Sequence, residues 1–421
     1  ADPLDESTPL TTRGQWGGLI VLGEAGLNST PGVSSIEGIP TNIPFGQYGG
    51  DNDADNSGVI TYVSIRHGGT EIGAGNEING FTLGGVGSGT TINNVEVIAN
   101  MDDGIEFFGG TVSVQFAVVT ACGDDSYDYD EGWRGQLNSN WVAVASSDDG
   151  DRGGEHDGGT DPETAQPYAT PTITYATFVG RGVDAGKRAL TFRDNAGGNY
   201  SNSVFFNYAK GVDVEDLSEG EDSYSRFLSG ELTFTNNIVD CGSNAFVTSQ
   251  GEDLSAYFNA NGNSTSSDHG LTWSPSAVSL AGRADWASWT LAMTSGWVSP
   301  GEVVQGDVVV SSNVTGTAYW TANNTYHLDG SVFVEPGATL HIEAGTVVKG
   351  MPGQGEESSY LCVAKGAQIF AEGTADAPII FTFEADPLDE STPLTTRGQW
   401  GGVIVLGLSL IHISEPTRPP E

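Results

Sequence analysis

Seven short runs of β-branched and aromatic residues, punctuated by Gly, Asn and Asp, align as a loose repeat. They are VSIRHGG from Val63, VEVIAN from Val95, FAVVTACG from Phe116, WVAVASS from Trp141, ATFVGRG from Ala176, SVFFNYAKG from Ser203 and NNIVDCG from Asn236. Their starts are separated by 32, 21, 25, 35, 27 and 33 residues. A period that drifts in this way, with the variation taken up by Gly/Asp-rich inserts, is what stacked coils with loops on one side produce. It predicts an all-β fold, a right-handed parallel β-helix. Short strands with frequent turns also suit an antiparallel sandwich. The block PGATLHIEAGTVVKG at 336–350 and the stretch KGAQIFAEGTADAPIIFTFEAD at 365–386 favour the β-helix. Each sets a Gly at a corner before an alternating strand, so that Leu340, Ile342, Ile369 and Ile379 point inward and stack on neighbouring coils. Helical periodicity is confined to RADWASWTLAMTSGWV at 283–298, read as a short helix or a terminal cap.

Residues 1–23 recur as 385–407 with one difference, Leu19 against Val403. Copies this similar are a recent tandem duplication or one stretch present twice; they are not a solenoid period. The expected organisation is therefore main coils over 1–304, then coils of N-terminal type over 305–407. That order is either a permutation or the start of a second tandem copy. Residues 408–421 (LSLIHISEPTRPPE) lack the Gly-punctuated strand pattern, resemble translated adapter read-through, and are expected to be a non-native tail.

With 55 acidic and 15 basic residues the net charge is -40, which repels phosphate backbones and anionic headgroups. Nucleic acid is excluded as a partner, and cations are invited. Only 17% of residues are charged and 37% are hydrophobic, so this is a folding chain and not an acidic disordered tail. No apolar run approaches the roughly 18 residues that span a bilayer, so no membrane insertion is expected. Cys122, Cys241 and Cys362 lie far apart and read as small buried hydrophobes.

Several stretches look familiar as a set: RGQWGGLIVLG, YVSIRHGG, NEINGFTLGGVGSGT, DDGIEFFGG, GDDSYDYDEGWRG, GDRGGEHDGGTDPE and KRALTFRDNAGG. Together with the G-T-V-V-K-G and A-E-G-T-A-x-x-P-I-I-F-T coil, they resemble secreted and cell-surface right-handed β-helix proteins of marine Bacteroidetes-type bacteria. The resemblance implies an extracellular or outer-surface location; the partners expected from the aromatics, the acidic inserts and the duplicated segment are a polysaccharide or cell-surface glycan and further copies of the chain.

The acidic inserts carry most of the chemistry. Asp102 and Asp103, Asp124 and Asp125, and Asp128, Asp130 and Glu131 are expected at like positions of successive coils, about 4.8 Å apart, where mutual repulsion calls for a hard cation. Ca²⁺, with its 6 to 8 oxygen ligands, is the expected cofactor. Asp51, Asp53 and Asp55 in DNDADN form a second candidate loop, without the closing Glu of an EF-hand. The alternative for all of them is solvated turn residues.

Catalysis would centre on Asp124, Asp125, His156, Arg152, Arg188 and Arg193. The order Asp124–Asp125, His156, Arg188 or Arg193 is similar to that of pectin-type hydrolases, although their G-H-G is E-H-D here and their R-x-K is missing. A Ca²⁺-dependent polysaccharide lyase would use Arg152 or Arg193 as the base, and paired acids would suit a glycoside hydrolase. Otherwise the arginines are salt-bridged to neighbouring acids. Tyr127, Tyr129, Trp133 and Trp141 are the candidate sugar-stacking surface. The functions carried forward are a calcium-stabilised polysaccharide-binding or adhesive β-helix, a polysaccharide lyase or hydrolase, and a structural surface-layer or filament component.

Overall fold

The computed structural model describes residues 8–37, 39–70, 78–137, 141–159, 162–300, 306–322, 324–353, 355–371, 373, 377–389, 391–393 and 395–406. The chain divides into two compact units, Ala1–Glu302 and Val303–Glu421.

In the first unit one sheet is built from β1 (Leu19–Leu22), β2 (Phe81–Gly84), β3 (Ile105–Phe108), β4 (Tyr127–Asp130), β5 (Gly154–Asp157), β6 (Arg188–Arg193), β7 (Lys210–Val214) and β8 (Phe246–Thr248). The strands pair in chain order and always in parallel. The register runs from Phe81 to Ile105, Tyr127, Gly154, Leu190, Val212 and Phe246. A second, seven-stranded parallel sheet takes the runs that repeat in the sequence, from Val59–Arg66 to Ile238–Asp240. A third sheet of four strands enters from Gln136–Leu137 onward. This is a parallel β-helix, and the sandwich alternative falls. Among the described residues, antiparallel pairing is limited to Ser34–Ser35 with Gln47–Tyr48, Thr272–Ser274 with Ala277–Ser279, and a single bridge between Val247 and Asp253.

Local chemistry sets the corners. Tyr62, Asn94 and Phe116 share a left-handed backbone at stacked positions, with φ of 55°, 51° and 55°. The bend moves the rung partner of Val95 to Ala117, one residue beyond the start read from the sequence. Gly80 and Gly104 precede β2 and β3 because a Cβ there would lie 2.2 Å from the side chains of Val97 and Val119, respectively.

Aromatics fill the interior. Phe107 stacks on Trp133 at 3.9 Å, Tyr127 on Trp141 at 4.1 Å, and Tyr129 on His156 at 4.1 Å. Outside the seven-stranded sheet, Ile98, Val118, Val142, Val144 and Val179 pack against Leu271, Val278, Leu280, Leu291 and Met293. The Trp/Ala/Leu stretch thus does form a short helix, Leu291–Thr294, lying on that sheet. With this face covered, polar side chains gather on the outer face of the eight-stranded sheet.

In the second unit β9 (Ser331–Val334), β10 (Tyr360–Val363) and β11 (Gly402–Val405) form a parallel sheet, beside parallel sheets of four and three strands. Leu340 and Ile342 are buried, and Ile369 and Ile379 pack against the same cluster.

Candidate cation-binding polar face

Period-two alternation divides the strands of the eight-stranded sheet. Phe107, Tyr127, Tyr129, His156, Leu190 and Phe192 point inward. Their neighbours form an outward column in the order Glu106, Asp128, Glu155, Thr191 and Asp213, each paired with the next. In the turns entering these strands, Asp125 N donates to Asp103 Oδ1 at 2.8 Å and Arg152 N donates to Asp125 Oδ1 at 2.5 Å.

Three carboxylate trios arise, each with oxygens within 4.8 Å of one another: Asp102–Asp103–Asp124, Asp103–Glu106–Asp128 and Asp124–Asp125–Asp151. Burial is the main force pushing the carboxyls of Asp103, Glu106 and Asp128 well above their usual range, and neighbouring acids add to it. Asp125 is pushed up to about 8 by burial, against the opposing pull of Arg152. Asn79 donates to Glu106 and, at 3.2 Å, to Glu37. Asp128 Oδ1 is buried and has no hydrogen-bond partner. An all-oxygen donor set with one unsatisfied buried oxygen fits a hard divalent cation. Asp103, Glu106 and Asp128 are the residues that would hold it.

The bases are tied to this face. Arg152 pairs with Asp151 at 2.9 Å, Glu155 at 3.2 Å and Asp125 at 3.4 Å. Arg193 pairs with Asp157 at 2.5 Å and Glu155 at 3.0 Å. Lys187 reaches Asp151, and Arg188 reaches Asp213, each at 2.9 Å.

A family model described as a pectate-lyase-like β-helix domain matches residues 6–292 and 312–417. The chain belongs to this family. Nothing among curated proteins or solved structures matches it significantly. Membership in the pectate-lyase-like family fits a carbohydrate-related function in general terms.

Within this pectate-lyase-like β-helix several expected site residues are placed elsewhere. Tyr127, Tyr129, Trp133 and Trp141 are all core residues at 1% exposure or less, so no sugar ring can reach them. Their polar tips are satisfied inside: Tyr127 Oη donates to the Ala117 and Val142 carbonyls, and Tyr129 Oη to Gly197. Trp133 and Trp141 donate to Val112 and Val114. His156 is also interior, with Nε2 2.6 Å from Tyr200 Oη, and burial pulls its pKa down to about 3. A catalytic group centred on His156 is therefore excluded, since it faces away from the outer surface that holds Asp124 and Arg193.

Glu131 leaves the acid cluster as well, because its carboxylate accepts from Ser29 and Tyr48, both at 2.7 Å. The 51–56 run holds loops together. Asp53 accepts from Gly26 N and pairs with Arg134, and Asp55 accepts from Ser57 and Gly87 N. Asp51 is exposed, and none of the three joins an acidic trio among the described residues. Asp130 lies on β4 but outside those trios, its Oδ1 accepting from Glu131 N. Glu106 was missed, and Asp151, in the Gly-flanked loop GDRGGEHDGG, belongs to the catalytic reading and not to the expected cation ligands. The signal for Glu106 was the apolar-acid-apolar alternation that GIEFF shares with SYDYD.

Proposed function

We propose that this protein is a calcium-stabilised β-helix that binds acidic polysaccharide or a cell-surface glycan outside the cell. The carrying observation is the buried, unpartnered Asp128 Oδ1 beside Asp103 and Glu106, three carboxyls that burial and neighbouring acids push well above their usual range. Ca²⁺ at Asp103, Glu106 and Asp128 would relieve that repulsion, and the trio Asp102–Asp103–Asp124 beside it supplies further oxygens. Arg152 and Arg193 sit on the same face, half-buried in ion pairs, and offer a uronate carboxylate its partner. Stacking on Tyr127, Tyr129, Trp133 or Trp141 forms no part of this reading.

The second reading is a Ca²⁺-dependent uronate lyase, favoured by arginines and carboxylate trios meeting on one face. A base must be free of its proton, and hydrogen bonding to Asp157 pushes the Arg193 guanidinium further up. Binding is therefore preferred to lysis.

Thermal unfolding at pH 7.5 with 2 mM Ca²⁺ and with chelator tests the cation, expected to raise Tm by several degrees. Asp128→Asn should raise Tm in chelator, because it removes a buried repulsive charge, and should shrink the Ca²⁺ shift to near zero. An unchanged Ca²⁺ shift in Asp128→Asn overturns this assignment. Retention on immobilised polyuronate with no growth of absorbance at 235 nm supports binding; growth of that absorbance replaces it with lysis.

A further inference from the structure

From Ala25 to Gly50 the chain carries a single charged residue, Glu37. This stretch is an insert between β1 and Val59–Arg66, the first strand of the seven-stranded sheet. Its short hairpin, Ser34–Ser35 with Gln47–Tyr48, lies on the outer face of the eight-stranded sheet, where Leu27, Ile36 and Tyr48 pack against Ile20, Leu22 and Phe108. Ile20 stands two rungs before Glu106 in the outward column, through Thr82. The base of the insert is fixed by Glu131, which accepts from Ser29 and Tyr48. Its tip has little packing of its own, with Ile43 and Phe45 exposed by 41% and 89%.

Glu37 joins that tip to the acidic face. Asn79 Nδ2 donates both to Glu37 Oε1, at 3.2 Å, and to Glu106 Oε2, so one amide with two N–H groups holds two acids side by side. After burial, Glu37 does most to push the Glu106 carboxyl up, ahead of Asp102 and Asp130. Asn79, Glu106 and Asp103 are buried, whereas Glu37 is exposed. Glu37 therefore stands on the solvent side of the trio Asp103–Glu106–Asp128, in which the buried Asp128 Oδ1 has no partner. Three carboxylates on one sheet face meet an ion from beneath. A hard cation that takes about 6 to 8 oxygens also needs donors from above.

We propose that Glu37 is a further ligand of the cation held by Asp103, Glu106 and Asp128, so that the ion closes the 34–48 hairpin over the polar face as a strap. The inference rests on the calcium reading and adds its regulation: cation binding sets whether the hairpin stands over the face that the glycan uses. The ion replaces repulsion between Glu37 and Glu106 with attraction to a common centre. Because the base of the insert is already fixed, little chain entropy opposes the closure.

Hydrogen exchange of the full-length chain at pH 7.5, with 2 mM Ca²⁺ and with chelator, reads the strap, and calorimetric Ca²⁺ titration reads the site. In wild type, Ca²⁺ should slow exchange over 34–48 by roughly tenfold or more and leave Lys210–Val214 in β7 unchanged. Glu37→Gln keeps an acceptor for Asn79. It should abolish that slowing and raise the Ca²⁺ Kd by roughly tenfold, because affinity follows the number of charged ligands. Asp51→Asn, which removes an exposed charge outside the trios, should change neither. Ca²⁺ binding that leaves exchange over 34–48 unaltered, slowing that is equal in β7, or equal losses in the two variants overturns the strap and leaves the three-carboxylate site standing. Wild type that binds no Ca²⁺ overturns the calcium reading itself, and the strap with it.

Discussion

Trp133 and His156 belong to residue types that serve a sugar site as readily as a core, and burial decides between the two. Trp133 is enclosed by Phe107, Tyr129 and Trp141. Trp133→Ala should therefore cost about 3–5 kcal/mol in urea unfolding, whereas a surface sugar-stacking residue would leave stability almost unchanged. His156 is held neutral, with a folded pKa near 3 against an ordinary value of 6.5. Between those values the unfolded chain binds more protons, so its contribution is complete above pH 6.5 and is lost progressively as pH falls toward 3. His156→Gln keeps an acceptor near Tyr200 Oη but does not titrate. Wild type should lose about 3 kcal/mol relative to this variant between pH 7 and pH 4, read by urea unfolding at both. A gap that does not change with pH refutes the buried neutral imidazole.

At the scale of elements, the alternation in β3 and β4 was legible, because a strand with one face in a core must write that face into every second residue. What covers a strand's other face was not. Glu96 projects outward from Thr91–Ile98, yet it is fully buried. Its carboxylate accepts from Leu291 N at 3.0 Å, Ala292 N at 2.8 Å and Ser64 Oγ at 2.6 Å, anchoring the short helix across the sheet. Nearly 200 residues separate Glu96 from Leu291 and Ala292, so no local pattern announces the contact. Glu96→Gln keeps the shape and removes the charge. It should cost about 1–3 kcal/mol and speed amide hydrogen exchange over 283–298. Exchange that accelerates equally in β2 to β5 would mean the helix is not a separately anchored element.

Over the whole molecule the charge of -40 resists compaction, and salt screens it. Raising NaCl from 20 to 500 mM in chelator should lift Tm by several degrees, and by less when Ca²⁺ already neutralises the trios. Equal lifts in both conditions would separate the cation from the repulsion. The sequence by itself determined the parallel β-helix, since the recurrence of short strands at coil-length spacing and the inward alternation are local and repeated many times. It also located the acid-rich turns at 102–103 and 124–125. Only the tertiary structure decided which acids meet: Glu106 joined Asp103 and Asp128, while Glu131 was drawn away by Ser29 and Tyr48. It also sent His156 and the aromatic candidates inward. Coil lengths vary, so rung partners are set by packing across inserts of unequal length, and sequence spacing cannot carry that information.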